Sequence, residues 1–240
     1  MRKYITELIG TFFLVITVCG TVMSKAPLAP VAIGAVLAAM IFAGGHISGA
    51  HYNPAVTLAV FLRGRLAARD VLPYMGAQII GGSAAAATAR LMFTVPPPAA
   101  FHASGGQLLA AFTAELLMTF ALAYVVLSVA TTVHHPDNSF YGLAIGFTVM
   151  AGAITMGGVS GGAFNPAVAV GISIAGLVTW AMLPIYFVAT LVGGGLAAVA
   201  FRALNPNHAA SSDTPDGPPE ASDRQSANGA RRTGAGRVKV

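Results

Sequence analysis

The chain is organised by long apolar runs separated by short polar breaks. Six runs are long enough for a helix to cross a bilayer core, which needs about 20 mostly apolar residues. They cover roughly 5–24, 29–46, 71–93, 108–132, 140–159 and 179–201. Two further runs, 53–62 and 165–176, are apolar but short. As helices they would extend about 14–18 Å, near half the bilayer thickness. The pattern therefore predicts six spanning helices and two re-entrant half-helices.

Composition narrows the class further. Of 240 residues, 55% are hydrophobic and only 9% charged, and mean hydropathy is +0.73. Soluble domains carry about 25% charged residues, so these charges cannot cover a water-exposed surface. One cysteine, Cys19, excludes a disulfide scaffold and a cysteine-based zinc site. The net charge of +5 does not point to nucleic acid, because the basic residues sit between the runs or in the tail. The first run follows Arg2 and Lys3 and lacks a small-residue cleavage site before the second, so it reads as an uncleaved anchor.

Lysine and arginine placement sets the expected orientation. With the N-terminus inside, Arg2, Lys3, Arg63, Arg65, Arg69, Arg202 and the five basic residues of the tail are cytoplasmic. Only Lys25 and Arg90 fall at the outer side. Both termini are then cytoplasmic. Residues 204–240 are rich in Ser, Pro, Gly, Asp and Arg and read as a disordered cytoplasmic tail.

The chain also repeats itself. ELIGTF at 7–12 returns as ELLMTF at 115–120, and SGAHYNPAV at 48–56 returns as SGGAFNPAV at 160–168. The offsets, 108 and 112, nearly agree. The channel region 1–203 thus divides into halves of about 1–95 and 107–203. Each half holds three spans, an odd number, so the second enters from the opposite side. Inverted repeats of this kind place a functional site at the midplane between them.

The paired motifs Asn53-Pro54-Ala55 and Asn165-Pro166-Ala167 have a direct physical reading. Asn is a strong helix N-cap, and Pro suits the first helical position, where its missing N–H would be unpaired anyway. The residues before each Asn allow an extended backbone, tolerated at membrane depth where it lines a water-filled cavity. Two helix N-termini then meet at the centre, each with about half a positive charge. The Asn amides add donors. A neutral molecule with a lone pair is held briefly, a cation is repelled, and a water wire is reoriented and broken.

HISGAHYNPAVT at 46–57 and SGGAFNPAV at 160–168 resemble the motifs of the major intrinsic proteins, the aquaporins and aquaglyceroporins. The resemblance covers about residues 4–203. It implies an all-α membrane protein, with six transmembrane helices and two re-entrant half-helices around one pore per subunit, assembled as a homotetramer. It also implies that Glu7 and Glu115, at equivalent repeat positions in the first and fourth spans, brace the loops that bear the motifs. Proton transfer is the competing role for these acids, since an ionisable group inside a membrane marks function.

In the resembled family four positions outside the centre form the narrowest constriction. Counting from the motifs places them at Ile33, Ala153, Gly162 and Val168. Most members carry Arg at the last position. Water-selective members add a histidine and an aromatic, and glycerol channels add two aromatics and an aspartate after the Arg. This chain has none of these, and Ala169 stands where that aspartate would be. The expected filter is wide and apolar, without a side-chain donor or fixed charge. The competing arrangement has Val168 leaning out and a neighbour filling the gap.

Other candidates divide between function and packing. His46 and His51 flank the first motif as pH gates or as hydrogen-bonded loop residues. His134 and His135 lie in the loop after the fourth span, where two adjacent histidines make poor metal ligands. Arg90 reads as a snorkelling side chain. Cys19 reads as a packing residue. Glycines at 81, 82, 142, 146 and 193–195 suit close helix crossings.

The sequence therefore points to a passive channel for water and small uncharged solutes in the cell membrane, with no cofactor, metal or enzymatic chemistry. Glycerol, urea and ammonia are candidate permeants. Asn53 and Asn165 orient the permeant, and Ile33, Ala153, Gly162 and Val168 set its size limit. Two other classes compete with this one: a coupled secondary transporter, which needs an ion site or proton relay in the pore, and a non-conducting membrane scaffold.

Overall fold

The computed structural model describes residues 1–94, 98–132 and 138–206. His134, His135 and the tail from 207 onward lie outside the described residues. In chain order the helices are α1 (Arg2–Met23), α2 (Ala29–Ser48), α3 (Pro54–Leu62), α4 (Ala68–Met92), α5 (Gly106–Ala130), α6 (Tyr141–Ser160), α7 (Pro166–Ile174) and α8 (Leu183–Leu204). A short 3-10 turn, Trp180–Met182, precedes α8. Six helices have 20–25 residues, and α3 and α7 have nine each.

Length and hydropathy alone qualify five of the long helices as membrane spans. The exception, α4, carries Arg69, Asp70, Gln78 and Arg90. Its polar residues have local explanations. Asp70 is paired with Lys3 at 2.6 Å and accepts from the Tyr4 hydroxyl at 2.6 Å, while Gln78 is fully buried.

The surface of this bundle is apolar and its interior holds the acids. Leu72, Leu91, Phe147 and Val199 are exposed, whereas Glu7 and Glu115 have no exposed surface. That inversion suits hydrocarbon as the surrounding solvent. The most extensive helix contacts are α5 with α8, α1 with α4, and α2 with α6.

Small residues make these crossings close. A Cβ added at Gly82 would lie 2.8 Å from the carbonyl oxygen of Ala167, and one at Gly194 would lie 2.5 Å from that of Ala55. The backbone of each half-helix therefore rests on a glycine of the opposite half. Gly34 and Gly146 similarly bring α2 and α6 together through each other's carbonyls.

Both half-helices are tied down at their outer ends. Arg202 on α8 donates to the Leu62 carbonyl at 3.4 Å, and Arg90 on α4 donates to the Ile174 carbonyl at 3.1 Å. These are last-turn carbonyls, which lack a partner inside the helix. Arg90 thus has a specific partner that snorkelling alone does not supply. Arg63 is buried with its guanidinium 5.1 Å from the Phe201 ring. On the face opposite the N-terminus, Phe101 pairs through its backbone with Leu177 and Thr179 at 2.8 and 3.0 Å.

Candidate functional site

The central site begins where α2 and α6 end. Gly49 (φ 83°) and Gly161 (φ 86°) take the left-handed conformation and turn the chain back into the bundle. Each chain then runs inward to an asparagine. Asn53 (φ −156°, ψ 120°) caps α3, its Oδ1 accepting from the Ala55 N–H at 2.8 Å. Asn165 (φ −162°, ψ 120°) caps α7, accepting from the Ala167 N–H at 2.9 Å. Pro54 and Pro166 open the two helices, and Ala55 and Ala167 are fully buried.

The residues just before these asparagines are strained. Tyr52 and Phe164 have φ of 49° and 50°, a region uncommon for a bulky side chain. Such a conformation costs on the order of 1–3 kcal/mol and persists where the surroundings over-determine it. Here the surroundings are carboxylates. Glu7 accepts from the Tyr52 N–H at 2.6 Å, the His51 N–H at 3.0 Å and the Ser48 hydroxyl at 2.7 Å. Glu115 accepts from the Phe164 N–H at 2.6 Å, the Ala163 N–H at 2.9 Å and the Ser160 hydroxyl at 2.7 Å. Charge-assisted bonds of this kind are about twice as strong as neutral ones.

Two tyrosines complete the support. The Tyr74 hydroxyl donates to the Ser48 carbonyl at 2.9 Å, and the Tyr186 hydroxyl donates to the Ser160 carbonyl at 2.5 Å. The sequence reading missed this pair. The signal was present, because Tyr74 with Gly81-Gly82 returns as Tyr186 with Gly193-Gly194 at the same offset of 112.

The halves are not equal in polarity. Gln78 donates to Glu7 at 2.8 Å and to the Thr57 hydroxyl at 2.9 Å, and the His51 ring nitrogen lies 3.2 Å from the same hydroxyl. The corresponding places in the second half are Thr190, Ala169 and Ala163. His51 also packs against Tyr74, with ring centroids 5.1 Å apart. It is therefore held by loop packing. His46 is exposed.

The two loops are joined at the centre. Asn53 donates from Nδ2 to the Phe164 carbonyl at 2.9 Å, and Asn165 donates to the Tyr52 carbonyl at 2.8 Å. Each amide has two N–H donors, so this exchange uses one from each.

Both asparagines line one continuous cavity. Ile33 from α2, Ala153 from α6, Gly162 from the second loop and Val168 from the first turn of α7 line the same cavity. Val168 is buried and part of the wall. The rest of the wall is largely aliphatic, from Leu14 and Val18 on α1 to Leu122 and Val126 on α5. Cys19 is buried outside it. The cavity thus offers a polar strip from the loops facing an apolar wall from the helices.

The chain matches the family model described as "Major intrinsic protein" over residues 1–201. It is 36% identical over 215 residues to glycerol uptake facilitator protein-like 6 of Lactiplantibacillus plantarum, covering 85% of this chain and 98% of that protein. It is 34% identical over 230 residues to aquaporin Z of Rhodopseudomonas palustris, covering 85% and 94%. It is 33% identical over 216 residues to aquaporin NIP1-1 of Zea mays, covering 85% and 75%. Among solved structures it superposes on the aquaglyceroporin from Plasmodium falciparum with a TM-score of 0.70 at 20% identity, covering 86% of this chain and 98% of that one. That last likeness concerns the fold. With the family model spanning nearly the whole helical region, the chain belongs to the major intrinsic protein family.

Proposed function

We propose that the protein conducts water and small uncharged solutes passively through the cavity between its two halves. The observation that carries this reading is the exchanged asparagine pair, with one N–H donor of each amide left over in a cavity whose helix-borne wall is aliphatic. A permeant accepts a bond from Asn53 or Asn165 and slides along methyl groups that hold it weakly. The two helix N-termini behind the asparagines make the centre unfavourable for cations. Glu7 and Glu115 act as braces, since each carboxylate accepts at least three bonds from the loop it supports and neither lines the cavity.

Ile33, Ala153, Gly162 and Val168 form a constriction on the side away from the N-terminus. It has no arginine, so it imposes size and desolvation but no charge. Glycerol, urea and ammonia fall within the class of solutes it admits. The names of the bacterial relatives, a glycerol uptake facilitator-like protein and an aquaporin, fit that class. The reading extends to a homotetramer in the cell membrane. Both termini are cytoplasmic, residues 1–203 form the channel, and residues 204–240 form a cytoplasmic tail.

The test is stopped-flow light scattering on proteoliposomes. An impermeant osmolyte should cause fast shrinkage, and glycerol or urea should then cause fast re-swelling. Shrinkage without re-swelling would make the pore water-only. No acceleration by folded protein would leave a scaffold. Solute uptake that follows an ion gradient would point to coupled transport.

A further inference from the structure

The cavity carries a second ring of side chains, and its composition differs from the first. The 112-residue offset relates Ile33, Ala153, Gly162 and Val168 to Ile145, Ile41, Ala50 and Val56. All four of these also line the cavity. On α2, Ile41 is eight residues beyond Ile33, about 12 Å along the axis at 1.5 Å per residue. The chain direction of α2 and α6 puts Ile41 and Ile145 toward the face that holds the N-terminus, and Ile33 and Ala153 toward the other. The two rings therefore flank the asparagine pair.

Two of the four exchanges change size. Ala153 on the outer ring corresponds to Ile41 on the inner one, and Gly162 corresponds to Ala50. The other two positions hold the same types, Ile and Val. The inner ring is larger by the atoms that separate Ile from Ala and Ala from Gly. The neighbouring position adds to this, because His51 stands on the inner side where Ala163 stands on the outer.

Burial follows the same order at the two positions that differ in size, whereas Val168 at 4% and Ile33 at 9% match the inner ring's range closely. Ile41, Val56, Ile145 and Ala50 are 2%, 2%, 5% and 7% exposed. On the outer ring, Ala153 and Gly162 are only partly buried. Two of the inner residues are also anchored through their backbone. Ala50 is held by its N–H to the Ser48 hydroxyl at 3.0 Å, and Val56 sits in the first turn of the capped α3.

We infer that the size limit for permeating solutes is set by the inner ring of Ile41, Ala50, Val56 and Ile145, on the N-terminal side of the asparagines. The inference deepens the channel reading and rests on it. The outer ring passes a polyol backbone more readily than the inner ring, which slows it by bulk alone, since none of its side chains can donate or accept a hydrogen bond. Ile41 is the specificity-determining residue because it carries the largest difference between the rings.

The test compares Ile41→Ala with Ile33→Ala in proteoliposomes, reading water flux and the entry of urea, glycerol and erythritol. Ile145→Ala is the second inner variant, used where Ile41→Ala fails to give a monodisperse, helical protein. Expected is a rise of five-fold or more in glycerol and erythritol entry for the inner variant, with less than half that rise for Ile33→Ala. An equal or larger rise for Ile33→Ala would overturn the inference and return the size limit to the outer ring. Wild-type water flux with solute entry insensitive to the inner variants would also overturn it while leaving the channel intact. Absence of water flux in folded wild type would overturn both.

Discussion

Asn53 and Phe164 are 111 residues apart, yet the Asn53 amide donates to the Phe164 carbonyl at 2.9 Å. Asn165 returns the bond to Tyr52 at 2.8 Å. Each carbonyl belongs to a left-handed residue whose own N–H is held by a glutamate. The site is therefore a closed arrangement: carboxylate to strained residue, strained carbonyl to asparagine, asparagine to helix cap.

Replacing Asn53 by Ala removes both a cap and a crossing bond. Loss of an N-cap costs about 1 kcal/mol, and the buried Phe164 carbonyl loses a partner at about 1–3 kcal/mol. Thermal unfolding in detergent should show a lower midpoint for Asn53→Ala, and a similar drop for Asn165→Ala. Water flux per folded protein should fall in both.

Glu7→Gln and Glu115→Gln should both destabilise, and unequally. A glutamine amide presents N–H donors where the loop already presents donors, at a cost of roughly 1–3 kcal/mol. Glu7 accepts from the Gln78 side chain in addition to three loop donors. Glu7→Gln should therefore lower the unfolding midpoint more than Glu115→Gln. An equal effect would mean that Gln78 contributes nothing to the brace.

Gly194→Ala tests the close approach of α8 to the first half-helix. The added Cβ meets the Ala55 carbonyl, which is backbone and cannot swing aside. Overpacking of this sort costs about 1–3 kcal/mol. Since Ala55 follows the capped Pro54, the displacement should also reduce flux. Gly76→Ala, where an added Cβ has nothing within 4 Å inside a helix, should leave the unfolding midpoint unchanged or slightly raised.

Val168→Arg places a charge in an aliphatic wall. Val168 is 4% exposed and borders the cavity. Because Val168 is buried and borders the cavity, a longer side chain extending into it would narrow the outer ring. Glycerol entry in proteoliposomes should fall at least ten-fold, and water flux should fall less.

Much of this arrangement was legible in the chain because the membrane simplifies the code. Twenty apolar residues mean a span, so the long helices fall within a few residues of the runs in the sequence. Pro at the first helical position fixed the starts of α3 and α7 to the residue. Counting from Asn53 and Asn165 brought Ile33, Ala153, Gly162 and Val168 to one cavity because no insertion separates the repeats there.

What was not legible were bonds between distant side chains. Hydropathy marks α4 as the weakest span and gives no hint that Asp70 pairs with Lys3 or that Gln78 reaches Glu7. The hydroxyls of Tyr74 and Tyr186 belong to the same class, since a tyrosine in an apolar run reads as packing until its partner carbonyl is known. Arg90 and Arg202 read as ordinary helix-end charges, but each meets the last turn of a half-helix.

The most direct measurement is osmotic water flux into proteoliposomes at several temperatures, with internal pH followed in the same vesicles. A passive channel for neutral solutes should give fast flux with weak temperature dependence and no accompanying proton movement. Flux no faster than in empty vesicles, or flux that carries protons with it, would contradict it.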